Sequence, residues 1–263
     1  MRRVLLGVGH SHLAALREAH YDRLKSGVRI ENRDITFQHI DRDIFVPRDQ
    51  SASRYVYPDE INSIVPDVAE VIRSLTEPQA RISIFLSFLG HQYFFNSVLN
   101  NSNSFDFVLP GRPDLGFNTS VRFVEWALVK KFMSREMEPC FLHAQAYRSV
   151  EFADLFYFSS PPPIGDNDYV GKIRHIGPQI AEFGISPPDF RLKMWILQED
   201  ITRHSCEELG ITYVPAPPSS VDEQGYLLRD FWNEDGFHGN SAYGELMLDH
   251  VVYFITRENI GKI

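Results

Sequence analysis

Three residues of this 263-residue chain stand out, by type and setting, for acyl-transfer chemistry. Ser11 stands in Gly9-His10-Ser11-His12, a tight turn with polar tips. Asp235 and His238 stand three positions apart in Asp235-Gly236-Phe237-His238. In a turn or a first helical turn that spacing puts both side chains on one side. The carboxylate can then orient the imidazole, and the imidazole can take the proton of a serine hydroxyl. Plainer local readings exist, with Ser11 as a helix cap and Asp235 as a cap beside a surface histidine. His10, His12 and His91 raise a second chemistry, because imidazoles ligate Zn²⁺ or Fe²⁺. No carboxylate or cysteine falls among them at the usual ligand spacing, so the expectation is no metal site and no organic cofactor.

The elements around these residues read as an α/β protein. Val4–Val8 is a short apolar run, as a buried parallel strand should be. After the serine turn, Leu13, Leu16, Ala19 and Leu24 recur near helical spacing, so the order is strand, sharp turn, helix. A second strand is expected at Ile35–Ile40, followed by a polar loop from Pro47 to Pro58. Asp59 to Leu75 carries a helical apolar face that Pro66 interrupts. Arg81–Leu89 is a strong strand that ends at Gly90-His91-Gln92-Tyr93. Residues 97–118 are rich in Asn, Pro and Gly and read as loop. Thr119 or Ser120 is expected to cap a helix bearing Val121, Val124, Leu128 and Phe132. Further strands are expected at Phe152–Ser159 and Ile211–Val214, and helices at Phe190–Leu209 and Tyr243–Phe254. Strands alternating with helices predict a mainly parallel five-stranded sheet covered on both faces, in one domain spanning 1–263. In such a sheet functional groups gather at the carboxyl ends of the strands. Ser11, Gly90 to Tyr93, and Asp235 with His238 all fall there.

Composition narrows the partners. Lys and Arg number 26 against 35 Asp and Glu, a net charge of −9. Nucleic acid and anionic lipid both need a basic face, so neither is an expected partner. Hydrophobic residues make up 43%, enough to fold a core. No stretch approaches the roughly 20 apolar residues of a membrane span. The apolar run after Arg2-Arg3 ends at His10, too short for a signal core, and a cytoplasmic location is expected. Cys140 and Cys206 form no Cys-x-x-Cys pair and read as structural thiols. Loop aromatics Tyr55, Tyr57, Tyr93 and Trp232 are candidates to line a substrate pocket, and Arg48 and Arg54 to meet a substrate anion.

Gly9-His10-Ser11, Gly90-His91-Gln92 and Asp235-x-x-His238, in that order, together resemble the blocks of the SGNH hydrolases, also called GDSL-type esterases. The resemblance implies a flavodoxin-like three-layer α/β/α sandwich. It also implies ester hydrolysis through an acyl-serine intermediate, with acyl transfer or a non-catalytic ligand-binding relative as alternatives. Carried over by position, Ser11 is the nucleophile, His238 the base and Asp235 its orienting group. Three departures concern the rest of the site. His10 stands where the family has aspartate. Gln92 stands where its oxyanion asparagine is usual, with Asn96 as a second candidate. The second-block glycine is absent, which leaves a backbone N–H near Ser51 or Ser53 to replace it. The implied substrate is a small ester such as an O-acylated sugar or metabolite.

Overall fold

The computed structural model describes residues 3–27, 33–39, 46–49, 52–56, 64, 66–75, 81–88, 90–100 and 104–260. The chain opens with β1 (Arg3–Gly9), α1 (Leu13–Lys25) and β2 (Arg33–His39). A hairpin of β3 (Val46–Asp49) and β4 (Ala52–Val56) follows, then α2 (Pro66–Leu75), β5 (Arg81–Ser87) and α3 (Gln92–Ser97). Two short strands, β6 (Phe105–Asp106) and β7 (Arg122–Phe123), precede the long α4 (Trp126–Ala146) and β8 (Ala153–Phe158). The last part holds α5 (Asn167–Val170), α6 (Gly177–Phe183), α7 (Pro188–Leu209), β9 (Thr212–Val214) and α8 (Ser241–Ile260).

The main sheet has five parallel strands in the order β2-β1-β5-β8-β9. Numbered within the sheet alone that order is 2-1-3-4-5, the flavodoxin-like winding. The expected three-layer architecture is therefore present. Strand alternation builds both faces. Val4, Leu6 and Val8 of β1 and Ile82, Ile84 and Leu86 of β5 point to the side of α2, α3, α4 and α7. Leu5 and Phe85 point to the other side, against Leu13 and Leu16 of α1 and Met247, Val251 and Ile255 of α8. Period-two burial on both faces is why these strands read as continuous apolar runs.

The strand order reverses between β1 and β5, and there the two backbones run very close. A Cβ on Gly9 would lie 2.1 Å from the Ser87 carbonyl oxygen. The His10 N–H donates to that same oxygen at 2.9 Å. Glycine is thus required at the last residue of β1, directly before the serine turn.

Several local expectations are corrected. The polar Pro47–Pro58 stretch contains the β3–β4 hairpin, because Val46 pairs with Val56 and Pro47 with Tyr55. Helix α2 starts at Pro66, whose missing N–H is harmless at the first helical position; residues 57–63, upstream in the Asp59–Leu75 expectation, lie outside the described residues. No helix starts at Thr119 or Ser120. Asn118 Oδ1 accepts the Ser120 N–H at 3.0 Å and holds a local turn. Arg122 pairs with Phe105 instead, and the helix begins at Trp126.

Candidate active site

Ser11 occupies the turn between β1 and α1, at the switch point of the sheet, where open α/β folds bind ligands. Its side chain does not cap α1: the helix has His12 at the cap position and no side-chain cap bond. Ser11 Oγ lies 2.7 Å from His238 Nε2. His238 Nδ1 lies 2.6 Å from Asp235 Oδ2. The second carboxylate oxygen, Oδ1, accepts the N–H groups of Phe237 and His238 at 3.2 and 3.0 Å. A carboxylate has no proton to give here, so it fixes the ring with N–H at Nδ1 and a lone pair at Nε2, facing the hydroxyl. Burial alone would raise the Asp235 pKa. The hydrogen bond and charge of His238 and the two backbone donors overcome that and hold the carboxyl below its ordinary range.

The loop that carries Asp235 and His238 is tied down on all sides. Gly236 has φ +82° and a Cβ there would sit 2.2 Å from Ile173 Cδ1, so both conformation and space demand glycine. The Tyr169 hydroxyl donates to the Asn233 carbonyl at 3.1 Å. Asn240 Nδ2 donates to the carbonyls of Asp230 and Trp232, while its Oδ1 accepts the Tyr243 N–H and caps α8.

No protein-family model and no curated protein sequence matches the chain. Solved structures do. One is the periplasmic domain of a lipopolysaccharide acetyltransferase from Salmonella ser. Paratyphi A, 13% identical, covering 97% of this chain and 84% of that one, with a TM-score of 0.49. A GDSL-like lipase from Bacteroides thetaiotaomicron is 11% identical over 98% of this chain and 89% of that one, with a TM-score of 0.44. An extracellular lipase from Streptomyces rimosus is 9% identical over 95% and 99%, with a TM-score of 0.41.

The other sequence candidates fall in three groups. Of the three histidines, His12 is brought beside His238 and His91 beside His12. His12 is buried, its ring centroid 4.7 Å from that of His238 and 6.0 Å from that of His91. Neither of its ring nitrogens has a hydrogen-bond partner among the described residues. Burial first, then the neighbouring His238, His91 and His10, push its pKa well below the ordinary value, so it is neutral at pH 7. His10 is buried beside Phe88, and His91 packs its ring on Phe95. Among the described residues no cluster of three His, Cys, Asp or Glu side chains is arranged to hold a metal ion.

The oxyanion candidates of the third block sit differently. Gln92 opens α3, and its Nε2 is directed to Cys140 Sγ of α4 at 4.0 Å. Asn96 donates to the Gln92 carbonyl at 2.9 Å. Neither amide is hydrogen-bonded to Ser11. The Ser11 N–H has no backbone acceptor among the described residues, as expected ahead of a helix N-terminus. Ser51 and Tyr57 lie outside the described residues, and of Ser53, Tyr55, Arg48 and Arg54 only the strand backbone is described. Tyr93 is buried and donates to the Pro161 carbonyl, and the Trp232 indole donates to the Leu227 carbonyl.

Sequence reasoning missed Gln198. This buried residue of α7 donates to the Gly90 carbonyl and accepts the Tyr93 N–H, both at 3.0 Å. It thereby holds the turn after β5, where a Cβ on Gly90 would lie 3.1 Å from His12 Cδ2. The only available signal was a polar residue on an inward helix face.

Proposed function

We propose that the chain is a divergent SGNH-type enzyme that transfers an acyl group from an ester to Ser11 and then to water or an alcohol. The observation that carries this reading is the continuous relay Ser11 Oγ, His238 and Asp235 at 2.7 and 2.6 Å. In the first step Ser11 Oγ bonds to the ester carbonyl carbon while His238 Nε2 takes its proton. The tetrahedral oxyanion meets the Ser11 N–H at the N-terminal end of α1. The C–O bond to the leaving alcohol then breaks, and His238 returns the proton to that oxygen. A water or a second alcohol repeats the sequence in reverse and frees Ser11. Asp235 stays ionised throughout and balances the imidazolium.

The test is a fluorophosphonate probe read by intact mass, with p-nitrophenyl acetate hydrolysis measured beside it. One adduct on the wild-type protein, absent from Ser11→Ala, is the expected result. An adduct that persists in Ser11→Ala refutes the assignment. So does a folded wild-type protein that neither labels nor cleaves the ester. Adding alcohol acceptors then separates hydrolysis from transfer by the products formed.

A further inference from the structure

A cavity of about 880 Å³ is walled by α3, the β6–β7 region, Phe132 of α4 and the start of α7. Its size is that of a small-molecule site. Neither Ser11 nor His238 lines it. Most of its polar lining is already engaged with the protein. Asp106 pairs with the buried Lys193 and accepts the N–H groups of Phe107 and Asn118. Asn96 donates to the Gln92 carbonyl, Asn100 accepts from Ser104, and Ser186 donates to the Ser97 carbonyl. Asp189 accepts the Tyr226 hydroxyl.

What the wall leaves for a ligand is mainly apolar and rich in aromatic rings, with one cation. Phe95, Phe105, Phe117, Phe132 and Phe190 all face the cavity. Arg122 is the only cation among the described lining residues; it is exposed, and its guanidinium has no ion pair or hydrogen bond to a described residue. It pairs directly with Phe105 across β6 and β7, so both side chains rise on the same face. On a chain of net charge −9, a guanidinium without a partner among the described residues, set beside an aromatic wall, is a local exception that favours an anion.

We propose that this cavity binds an amphiphilic carboxylate, its alkyl tail against the phenylalanine rings and its head on Arg122. The site goes beyond the acyl-transfer reading and does not depend on Ser11 acting as a nucleophile.

Calorimetric titration of the whole protein with octanoate, octanol and gluconate tests it. Octanoate should saturate one site and gluconate, which lacks the tail, should not bind. Phe117→Glu places a carboxylate in the wall and should weaken octanoate at least ten-fold. Should that variant fail to melt cooperatively, Phe132→Glu does the same on a ring that is 48% exposed. Arg122→Gln should weaken octanoate by about five-fold, the upper range for an exposed ion pair, and leave octanol unchanged. Absence of saturable octanoate binding overturns the proposal. So does octanoate affinity that is unchanged in either the Glu or the Gln variant. Fluorophosphonate labelling of the same samples reports on Ser11 separately, so failure at one site is not mistaken for failure at the other.

Discussion

Replacing Asp235 by asparagine breaks the relay without emptying its place. The amide oxygen can keep both backbone N–H bonds that Asp235 Oδ1 accepts, at 3.2 and 3.0 Å, so the turn stays closed. The other arm changes sign. An asparagine Nδ2 is a donor, so at 2.6 Å from His238 Nδ1 it selects the opposite tautomer. The ring then presents N–H, not a lone pair, to Ser11 Oγ 2.7 Å away. It cannot take the hydroxyl proton. The imidazolium formed during transfer also loses its counter-charge. Unit charges about 4 Å apart attract by about 4 kcal/mol at an effective dielectric of about 20. The Asp235 side chain is 32% exposed, so solvent screening reduces that to about 2 kcal/mol, roughly 30-fold in rate. Together with the wrong tautomer, the expected loss in kcat/KM is about 10³–10⁴-fold. The melting temperature should stay within a few degrees of wild type. Hydrolysis of p-nitrophenyl acetate across neutral pH, with thermal melts in parallel, reads both. An Asp235→Asn protein that keeps a tenth or more of the wild-type rate refutes the relay as the catalytic unit.

Further expectations follow from packing and burial. A Cβ on Gly244 would lie 2.0 Å from the Ala15 carbonyl oxygen, so Gly244→Ala must separate α8 from α1. Thermal melts should show a loss of about 1–3 kcal/mol; Gly177→Ala, with open space around it, should be near neutral, and equal melts for the two would contradict the close packing. Lys193→Met leaves the buried Asp106 carboxylate unpaired and should cost about 3–5 kcal/mol by denaturant unfolding; a loss under about 1 kcal/mol would contradict it. Burial pushes the Glu199 carboxyl up to about 7 against the hydrogen bonds it accepts from Ser159 and Tyr213. The folded state therefore holds that proton more tightly than the unfolded chain. Its stabilisation is complete below the unfolded value and is lost as pH rises through the folded one. Glu199→Gln should flatten the melting temperature between about pH 5 and pH 8, and an unchanged slope would show that another group governs that range.

The parts of the fold legible in the sequence were those fixed by burial on two faces. Val4–Val8, Arg81–Leu89 and Phe152–Ser159 read as strands because both sides of the sheet are covered, and the structure sets them at Arg3–Gly9, Arg81–Ser87 and Ala153–Phe158. Elements decided by tertiary contact were not legible. The β3–β4 hairpin carries Pro47, Arg48 and Asp49 and has no apolar alternation. Thr119 and Ser120 look like a helix start, but Ser120 donates its N–H and its hydroxyl to Asn118 Oδ1 and closes a turn instead. The spacing of Asp235 and His238 was readable, since both belong to one turn. The direction of the Gln92 amide was not, because it depends on where α4 brings Cys140. Spacing alone also could not show that His12 lies buried against His238 while Ser11 remains accessible.

Ser11 and His238 stand 227 positions apart, and this separation has a consequence for synthesis. The ribosome delivers the hydroxyl 227 residues before the imidazole. Helix α1 can form behind the serine turn long before α8 exists to pack on it. Every nascent chain shorter than Asp235 therefore carries the serine without its partners. The two ends are joined only when the α1–α8 layer closes over the finished sheet, so the Ser11–His238 bond reports completion of the whole fold. A product cut between Val214 and Asp235 keeps every strand of the main sheet, yet its Ser11 hydroxyl has no His238 to take its proton.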